Sequence, residues 1–125
     1  MNAVVAVAIG GALGAVSRYF VAGRVAHLLG MTFPFGTLTV NVLGSFLLGL
    51  LVELFALKLS LPRPMQALLT TGFMGAFTTF STFSMETVLL VERHTVLLAA
   101  LYVGVSVVLG IAAFALGMVL VRAIA

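Results

Sequence analysis

The sequence predicts an all-α integral membrane protein with four transmembrane helices, and three observations support that prediction. Hydrophobic residues make up 63% of the 125 residues and charged residues only 7%, whereas roughly a quarter of the residues in an average soluble domain are charged. The mean hydropathy is +1.35. Uncharged runs such as residues 2–17 and 96–121 offer no polar face to water. Lipid is therefore the solvent for most of the chain.

Charge and cysteine content exclude several classes of partner and site. Six Lys and Arg against three Asp and Glu give a net charge of +3, but the basic residues are spread over the connections and form no patch for nucleic acid. Cysteine is absent, which excludes disulfides and thiolate metal sites. The amino terminus lacks the basic start of a cleaved signal, so its apolar run is assigned to the first helix.

The first helix is predicted over Ala3 to Val25, because crossing a bilayer takes about 20 largely apolar residues. Gly10, Gly11 and Gly14 give it a face for close helix contact. Arg18 interrupts the apolar run seven residues before the predicted end at Val25. Its side chain either reaches the lipid headgroups or lines an entrance for anions.

The second helix is predicted over Thr37 to Phe55, after a Pro-Phe-Gly turn. Asn41 and Ser45 lie four residues apart and therefore share one of its faces. An asparagine inside a span must form hydrogen bonds. Asn41 either ties two helices together or faces a ligand.

The third segment, Met65 to Val91, is longer than a span needs and has a polar centre. Gly72 and Gly75 lie at that centre, and five hydroxyl residues follow them: Thr78, Thr79, Ser81, Thr82 and Ser84. Glycines and hydroxyl side chains that bond back to the backbone favour a break at mid-membrane. A broken helix leaves carbonyls on one half and N–H groups on the other, which is a recurrent arrangement for binding ions.

The fourth helix is predicted over Thr95 to Arg122 and carries Tyr102 and Ser106 on one face. No stretch outside the four helices is long enough for a further domain. Residues 1–125 are therefore expected to form a single transmembrane domain.

The basic residues are balanced across the membrane when four spans are assumed. One side collects Lys58, Arg63 and Arg122, and the other collects Arg18, Arg24 and Arg93. The positive-inside rule then gives no preferred orientation. The balance is either accidental or the mark of a chain that inserts both ways and forms an antiparallel pair.

Residues 72–86, GFMGAFTTFSTFSME, resemble the GxxGGxTTFSTFSxE signature of the Fluc (CrcB) fluoride channels. The resemblance extends to GGALGAVSRYF in the first helix, to PFGTLTVN at the start of the second, and to four spans in one short chain. Ala76 departs from the pattern, where many members carry a second glycine, but Gly75 is retained.

The resemblance implies an antiparallel homodimer with two fluoride pores and one structural sodium ion on its two-fold axis. By the same comparison, the backbone carbonyls of Gly75 and Thr78 from both subunits bind the sodium ion. Phe80 and Phe83 are the paired rings of the pore, and Asn41 is a polar donor at its constriction.

Further polar residues are weaker candidates for the fluoride pathway. A hydroxyl track is implied for Thr79, Ser81, Thr82, Tyr102 and Ser106, and Arg18 is a candidate for its vestibule. Each hydroxyl alternatively makes a hydrogen bond between helices. Glu86 closes the motif and is expected to be structural, paired with a basic residue near the membrane surface, because a carboxylate in an anion pore repels its cargo.

The phenylalanines have a physical reason to bind an anion. An aromatic ring has a negative face and a positive edge, so two rings presented edge-on give a small anion a weak site without a fixed charge. A channel needs such weakness, because the ion must leave again. By spacing alone, Phe80 and Phe83 would be interpreted as packing, and only the complete motif favours the pore.

The resemblance therefore implies a passive, fluoride-selective channel in the cytoplasmic membrane of a prokaryote, which exports fluoride and lowers its toxicity. Its partners are fluoride, the bilayer and a second copy of itself. A small dual-topology multidrug exporter is the alternative, but its mechanism needs a carboxylate that the first helix lacks. An enzyme is not expected, because no nucleophile, base and orienting partner converge. A structural subunit would explain the glycines but not the complete motif.

Overall fold

The computed structural model describes residues 1–125 and contains helices but no strands. Four helical segments are long and apolar enough to cross a membrane: Ala3–Leu29, Phe35–Leu57, Arg63–Glu92 and Val96–Ile124. The prediction of an all-α protein with four transmembrane helices is confirmed. We call the first two α1 and α2 and the last α5; the third divides into α3 (residues 63–77) and α4 (Phe80–Glu92).

The first helix is longer than the sequence suggested and has a defined start and end. The Asn2 side chain accepts a hydrogen bond from the Val5 N–H at 2.9 Å and so caps α1. The helix passes the predicted end at Val25 and stops at Leu29. Gly30 follows with φ +88°, a backbone conformation that glycine adopts without a steric penalty.

The third span is irregular before it breaks. It is α-helical over Arg63–Ala67, π-helical over Leu68–Met74 and α-helical again over Gly75–Phe77. Thr78 and Thr79 are then extended, with φ/ψ of −90°/157° and −149°/116°. The predicted break is confirmed, whereas the π-helical turns are a finding that the sequence did not indicate.

Glycines set the contacts between α1 and α3 and between α2 and α5. A Cβ atom on Gly10 would collide with the Leu68 carbonyl, and one on Gly14 with the Phe73 carbonyl. Gly49 lies in the same way against the Phe114 carbonyl. Two helix pairs can therefore pack backbone to backbone, as small residues allow in membranes.

An ion pair joins the ends of α2 and α5. The Arg122 guanidinium donates to both carboxylate oxygens of Glu53, at 3.0 and 3.3 Å. Glu53 is buried and Arg122 is exposed. Because an unpaired buried carboxylate is costly in a membrane, this pair stabilises the contact between the two helices.

Most of the apolar surface remains uncovered in the single chain. Only 17 of the 125 residues are buried, and large side chains such as Leu97, Val108 and Ile111 on α5 are exposed. In a protein of this composition, such faces contact lipid or another protein surface.

Candidate functional site at the broken third span

The break interrupts the helical hydrogen bonds at two carbonyls. In a continuous helix the Thr79 N–H would donate to the Gly75 carbonyl and the Thr82 N–H to the Thr78 carbonyl. Here the Thr79 N–H donates to the Asn41 side chain at 2.7 Å, and the Thr82 N–H donates to the Thr79 hydroxyl at 3.2 Å. The Gly75 and Thr78 carbonyls are thereby released from the helix, and Gly75 is exposed on the surface of the chain.

Asn41 holds the break from α2. Its Oδ1 accepts from the Thr79 N–H, and its Nδ2 donates to the Thr79 carbonyl at 3.1 Å. One side-chain amide therefore bonds both backbone groups of a single extended residue. Of the two interpretations of Asn41, the structure supports the tie between helices.

Arg18 holds the break from α1. Its Nε donates to the Ala76 carbonyl at 2.9 Å. Since α1 continues to Leu29, Arg18 lies about 16 Å from the helix end at 1.5 Å per residue. The expectation that Arg18 lies close to the end of the helix was wrong, because the helix continues into residues that were assigned to a connection. Its partner is a backbone carbonyl beside the break rather than a headgroup.

Phe80 and Phe83 occupy the first turn of α4, directly after the break. Their ring centroids are 5.7 Å apart at an interplanar angle of 47°. The Phe80 side chain is 79% exposed, whereas Phe83 contacts the buried Tyr102 ring at 5.1 Å. One ring therefore points away from the chain, and the other packs into it.

Glu86 is bonded by hydroxyl groups and not by a basic residue. The Thr37 hydroxyl donates to Oε1 at 2.5 Å, and the Tyr102 hydroxyl lies 3.4 Å from Oε2 as a donor. The expected ion pair at Glu86 was wrong. The side chain lies on the second turn of α4, where its hydrogen-bond partners come from α2 and α5. Thr37 was not identified from the sequence, although it belongs to the PFGTLTVN stretch.

The hydroxyl candidates fall into three places. Thr79 and Ser81 contact each other at 3.3 Å beside the break, where Thr82 also lies. Tyr102 is bonded to Glu86. The Ser106 hydroxyl is buried and has no hydrogen-bond partner in the chain. The structure therefore brings Thr79, Ser81 and Thr82 together and leaves Ser106 apart from them.

A cavity of about 500 Å³ connects the break with one end of the bundle. Arg18, Thr79 and Thr82 line it beside the break, and Met31 and Arg93 line it at the far end. Thr37 and Glu86 lie between them. The walls are largely apolar, with one acidic and two basic side chains, and the chain contains no cluster of His, Asp or Glu that could hold a metal ion.

Comparison with known proteins gives one family. The family model described as "CrcB-like protein, Camphor Resistance (CrcB)" matches residues 5–118. Among curated proteins, the chain is 53% identical over 114 residues to a protein of Granulibacter bethesdensis, covering 90% of this chain and 89% of that protein. It is 50% identical over 116 residues to a protein of Agrobacterium fabrum, with 93% of each covered. Both are named "Fluoride-specific ion channel FluC".

Proposed function

The chain belongs to the CrcB family, and from that premise we propose that it is a passive, fluoride-selective ion channel. The observation that carries the proposal is the break at Thr78 and Thr79, which is held by Asn41 and Arg18 and followed directly by Phe80 and Phe83. The names of the curated relatives, which are similar over nearly the whole chain, support fluoride as the ion. A channel performs no covalent chemistry, in agreement with the prediction that the chain is not an enzyme.

The ring edges and the start of α4 provide the proposed anion site. Phe80 and Phe83 offer positive ring edges, and the first N–H groups of α4 form the positive end of a helix dipole. The hydroxyls of Thr79, Ser81 and Thr82 add donors beside the rings. None of these groups carries a full charge. Fluoride can therefore replace part of its hydration here and still leave, as conduction requires.

Arg18 and the cavity form the proposed entrance. The guanidinium is fixed by the Ala76 carbonyl at the inner end of the cavity. Arg18 and Arg93 give the cavity two positive charges against the one carboxylate of Glu86, and a net positive charge between apolar walls raises the local concentration of anions. Glu86 also lines the cavity, and we assign it a structural role, in which it orients the hydroxyls of Thr37 and Tyr102 between α2 and α5.

We further propose one structural sodium ion, bound by Gly75 and Thr78. The fit rests on the two carbonyls whose helical donors are diverted to side chains. Oxygen ligands suit a hard cation, and two copies of the chain would supply four of them. When bound, this ion would neutralise carbonyl ends that otherwise face each other across the two-fold axis.

An antiparallel homodimer is the assembly that we propose. Arg18 lies deep within α1, so the basic residues near the membrane surfaces are Arg24, close to the end of α1, and Arg93 on one side, against Lys58, Arg63 and Arg122 on the other. Arg122 is paired with Glu53. The two sides therefore differ little in their number of unpaired basic residues. The positive-inside rule then gives no strong preference, which favours insertion in both orientations. The exposed Gly75 and Phe80 would then contact the second copy.

We propose that the channel operates in the cytoplasmic membrane of a prokaryote and exports fluoride. A membrane potential that is negative inside drives an anion outward by about 2.3 kcal/mol per 100 mV. Such a potential removes the need for a coupling ion or for ATP. Exported fluoride would no longer accumulate after entering as the neutral acid.

The proposal is tested by efflux from liposomes that contain the purified protein. Potassium and valinomycin clamp the potential, and fluoride and chloride are followed separately. We expect rapid fluoride efflux and negligible chloride efflux, with protein-free liposomes as the control. Folded protein that passes no fluoride, or passes chloride equally well, would contradict the proposed function.

A further inference from the structure

We propose that Phe33, in the connection between α1 and α2, is a positioning residue for the fluoride pathway. It would act on the pore ring of Phe83 through Tyr102. This inference rests on the proposed function and adds to it a residue that lies outside the central motif.

Four aromatic rings form a continuous chain from the break to this connection. The ring centroids of Phe80 and Phe83 are 5.7 Å apart, and those of Phe83 and Tyr102 are 5.1 Å apart. Tyr102 contacts Phe33 at 5.5 Å, with the two ring planes at 83°. This last pair has the edge-to-face geometry that aromatic rings prefer. The ring of Phe33 therefore supports Tyr102 on a contact separate from the one that Tyr102 makes with Phe83.

The backbone of the connection fixes Phe33 in place. The Phe35 N–H donates to the Phe33 carbonyl at 2.8 Å, which closes a tight turn. Pro34 lies inside that turn and restricts the backbone of the residue before it. The side chain packs against the buried cluster of Leu90, Ala99 and Tyr102. Phe33 thus enters the bundle although it belongs to a connection.

Tyr102 is the residue through which Phe33 can act. Its side chain is fully buried, so its position is set by its neighbours. The same side chain packs on Phe83 and donates to Glu86. Replacing the Phe33 ring by an aliphatic side chain would leave space into which Tyr102 and then Phe83 can shift. Because only the edge of a ring attracts an anion, a rotated Phe83 would stabilise fluoride less.

Phe33→Leu is the direct test, and Phe55→Leu is its matched control. Phe55, near the end of α2, is likewise partly buried, but it makes no aromatic contact and lies outside the cavity. We expect Phe33→Leu to lower the fluoride efflux rate of each active channel by about two- to tenfold, the range of one aromatic pair. Phe55→Leu should stay within about twofold of the wild type. Phe33→Tyr retains the ring and should restore the rate, since the partly exposed position lets the hydroxyl reach water.

The time course of efflux separates a displaced Phe83 ring from a loss of folded protein. Misfolding lowers the fraction of liposomes that empty, whereas displacement of Phe83 lowers the rate in the liposomes that do empty. If Phe33→Leu fails to fold, Phe33→Met gives a second variant without a ring, because methionine fills irregular gaps. In a Tyr102→Leu background, Phe33→Leu should add no further loss of rate.

Three results would overturn the inference. The first is an unchanged rate in a folded Phe33 variant that lacks the ring. The second is an equal loss of rate with and without Tyr102, and the third is a Phe55→Leu effect as large as that of Phe33→Leu. A wild-type protein without fluoride efflux would instead overturn the proposed function, and this inference with it.

Discussion

Backbone N–H groups keep their helical hydrogen bonds where α2 packs on α5, whereas at the break between α3 and α4 they bond to side chains. In α2 and α5 the helices are continuous, and Gly49 lets their backbones approach closely. At the break, the N–H groups of Thr79 and Thr82 bond to side chains instead of carbonyls. A bilayer core offers no water to replace such bonds. Close helix packing and the proposed ion pathway therefore lie in different parts of this small protein.

The largest expected effect concerns the contact between α2 and α5, and it should leave selectivity intact. Arg122→Ala leaves the buried Glu53 carboxylate without its partner. We expect a loss of about 3 kcal/mol of stability, measured as a lower thermal unfolding midpoint in detergent. The double variant Glu53→Gln/Arg122→Gln should recover most of that loss. If Arg122→Ala changed the ratio of fluoride to chloride efflux rather than the stability, the distinction between the α2–α5 contact and the break would be wrong.

The glycine contact between α1 and α3 comes next, and the chain provides a neighbouring control. Gly10→Ala places a Cβ against the Leu68 carbonyl, while the same change at Gly11 meets nothing within 4 Å. We expect Gly10→Ala to cost about 2 kcal/mol of stability through overpacking. Gly11→Ala should be neutral or stabilising by about 0.5 kcal/mol, since alanine favours helix. Equal unfolding midpoints for the two variants would contradict the close contact.

Asn41→Leu tests the hydrogen bonds that hold the break. It removes both hydrogen bonds to Thr79, and two such bonds at about 1 kcal/mol each predict a loss of fluoride efflux of about thirtyfold. Ser45→Ala, one turn along the same helix, is the control and should stay within about twofold. If both variants conduct equally, Asn41 does not hold the conducting arrangement.

Phe83→Ile tests the aromatic ring at the break, because it removes the ring and changes little else. The change roughly keeps the apolar volume but removes the positive ring edge, so we expect about tenfold slower fluoride efflux from a normally assembled protein. Phe20→Ile on α1, where the side chain is exposed, should have no effect. Unchanged efflux in Phe83→Ile would defeat the ring-edge account.

Gly75→Val should have the smallest effect on the single chain. A Cβ at Gly75 meets only the Thr70 carbonyl, at an ordinary 3.8 Å, so the fold of one copy should tolerate the substitution. In the proposed dimer the same position faces the second copy and the sodium ion. We therefore expect loss of the dimer, measured by light scattering in detergent, while helical circular dichroism is retained. A stable dimer with full activity would argue against both the proposed contact and the ion.

The fold was largely predictable, because hydropathy and length depend on local sequence. Four apolar runs became four spans, and the glycines and hydroxyls from Gly72 to Ser84 marked the break. The π-helical turns over Leu68–Met74 had no such local signal. The end of α1 was missed because apolar residues continue through the polar positions Arg18 and Arg24.

The partners of the polar side chains were less predictable, because they come from distant parts of the chain. Glu86 bonds to Thr37, 49 residues away, and Arg18 bonds to the Ala76 carbonyl, 58 residues away. A single sequence contains no record of such pairs. For the same reason, the contact between Phe33 and Tyr102 became visible only in three dimensions.

The most direct test of the central claim is the reversal potential of the purified protein in a planar bilayer. A tenfold fluoride gradient is applied with equal chloride on both sides. If the break selects fluoride, the current reverses near the fluoride equilibrium potential, which is about 59 mV for a monovalent ion. A reversal near zero with a measurable current would show that chloride passes as readily, and it would contradict the account.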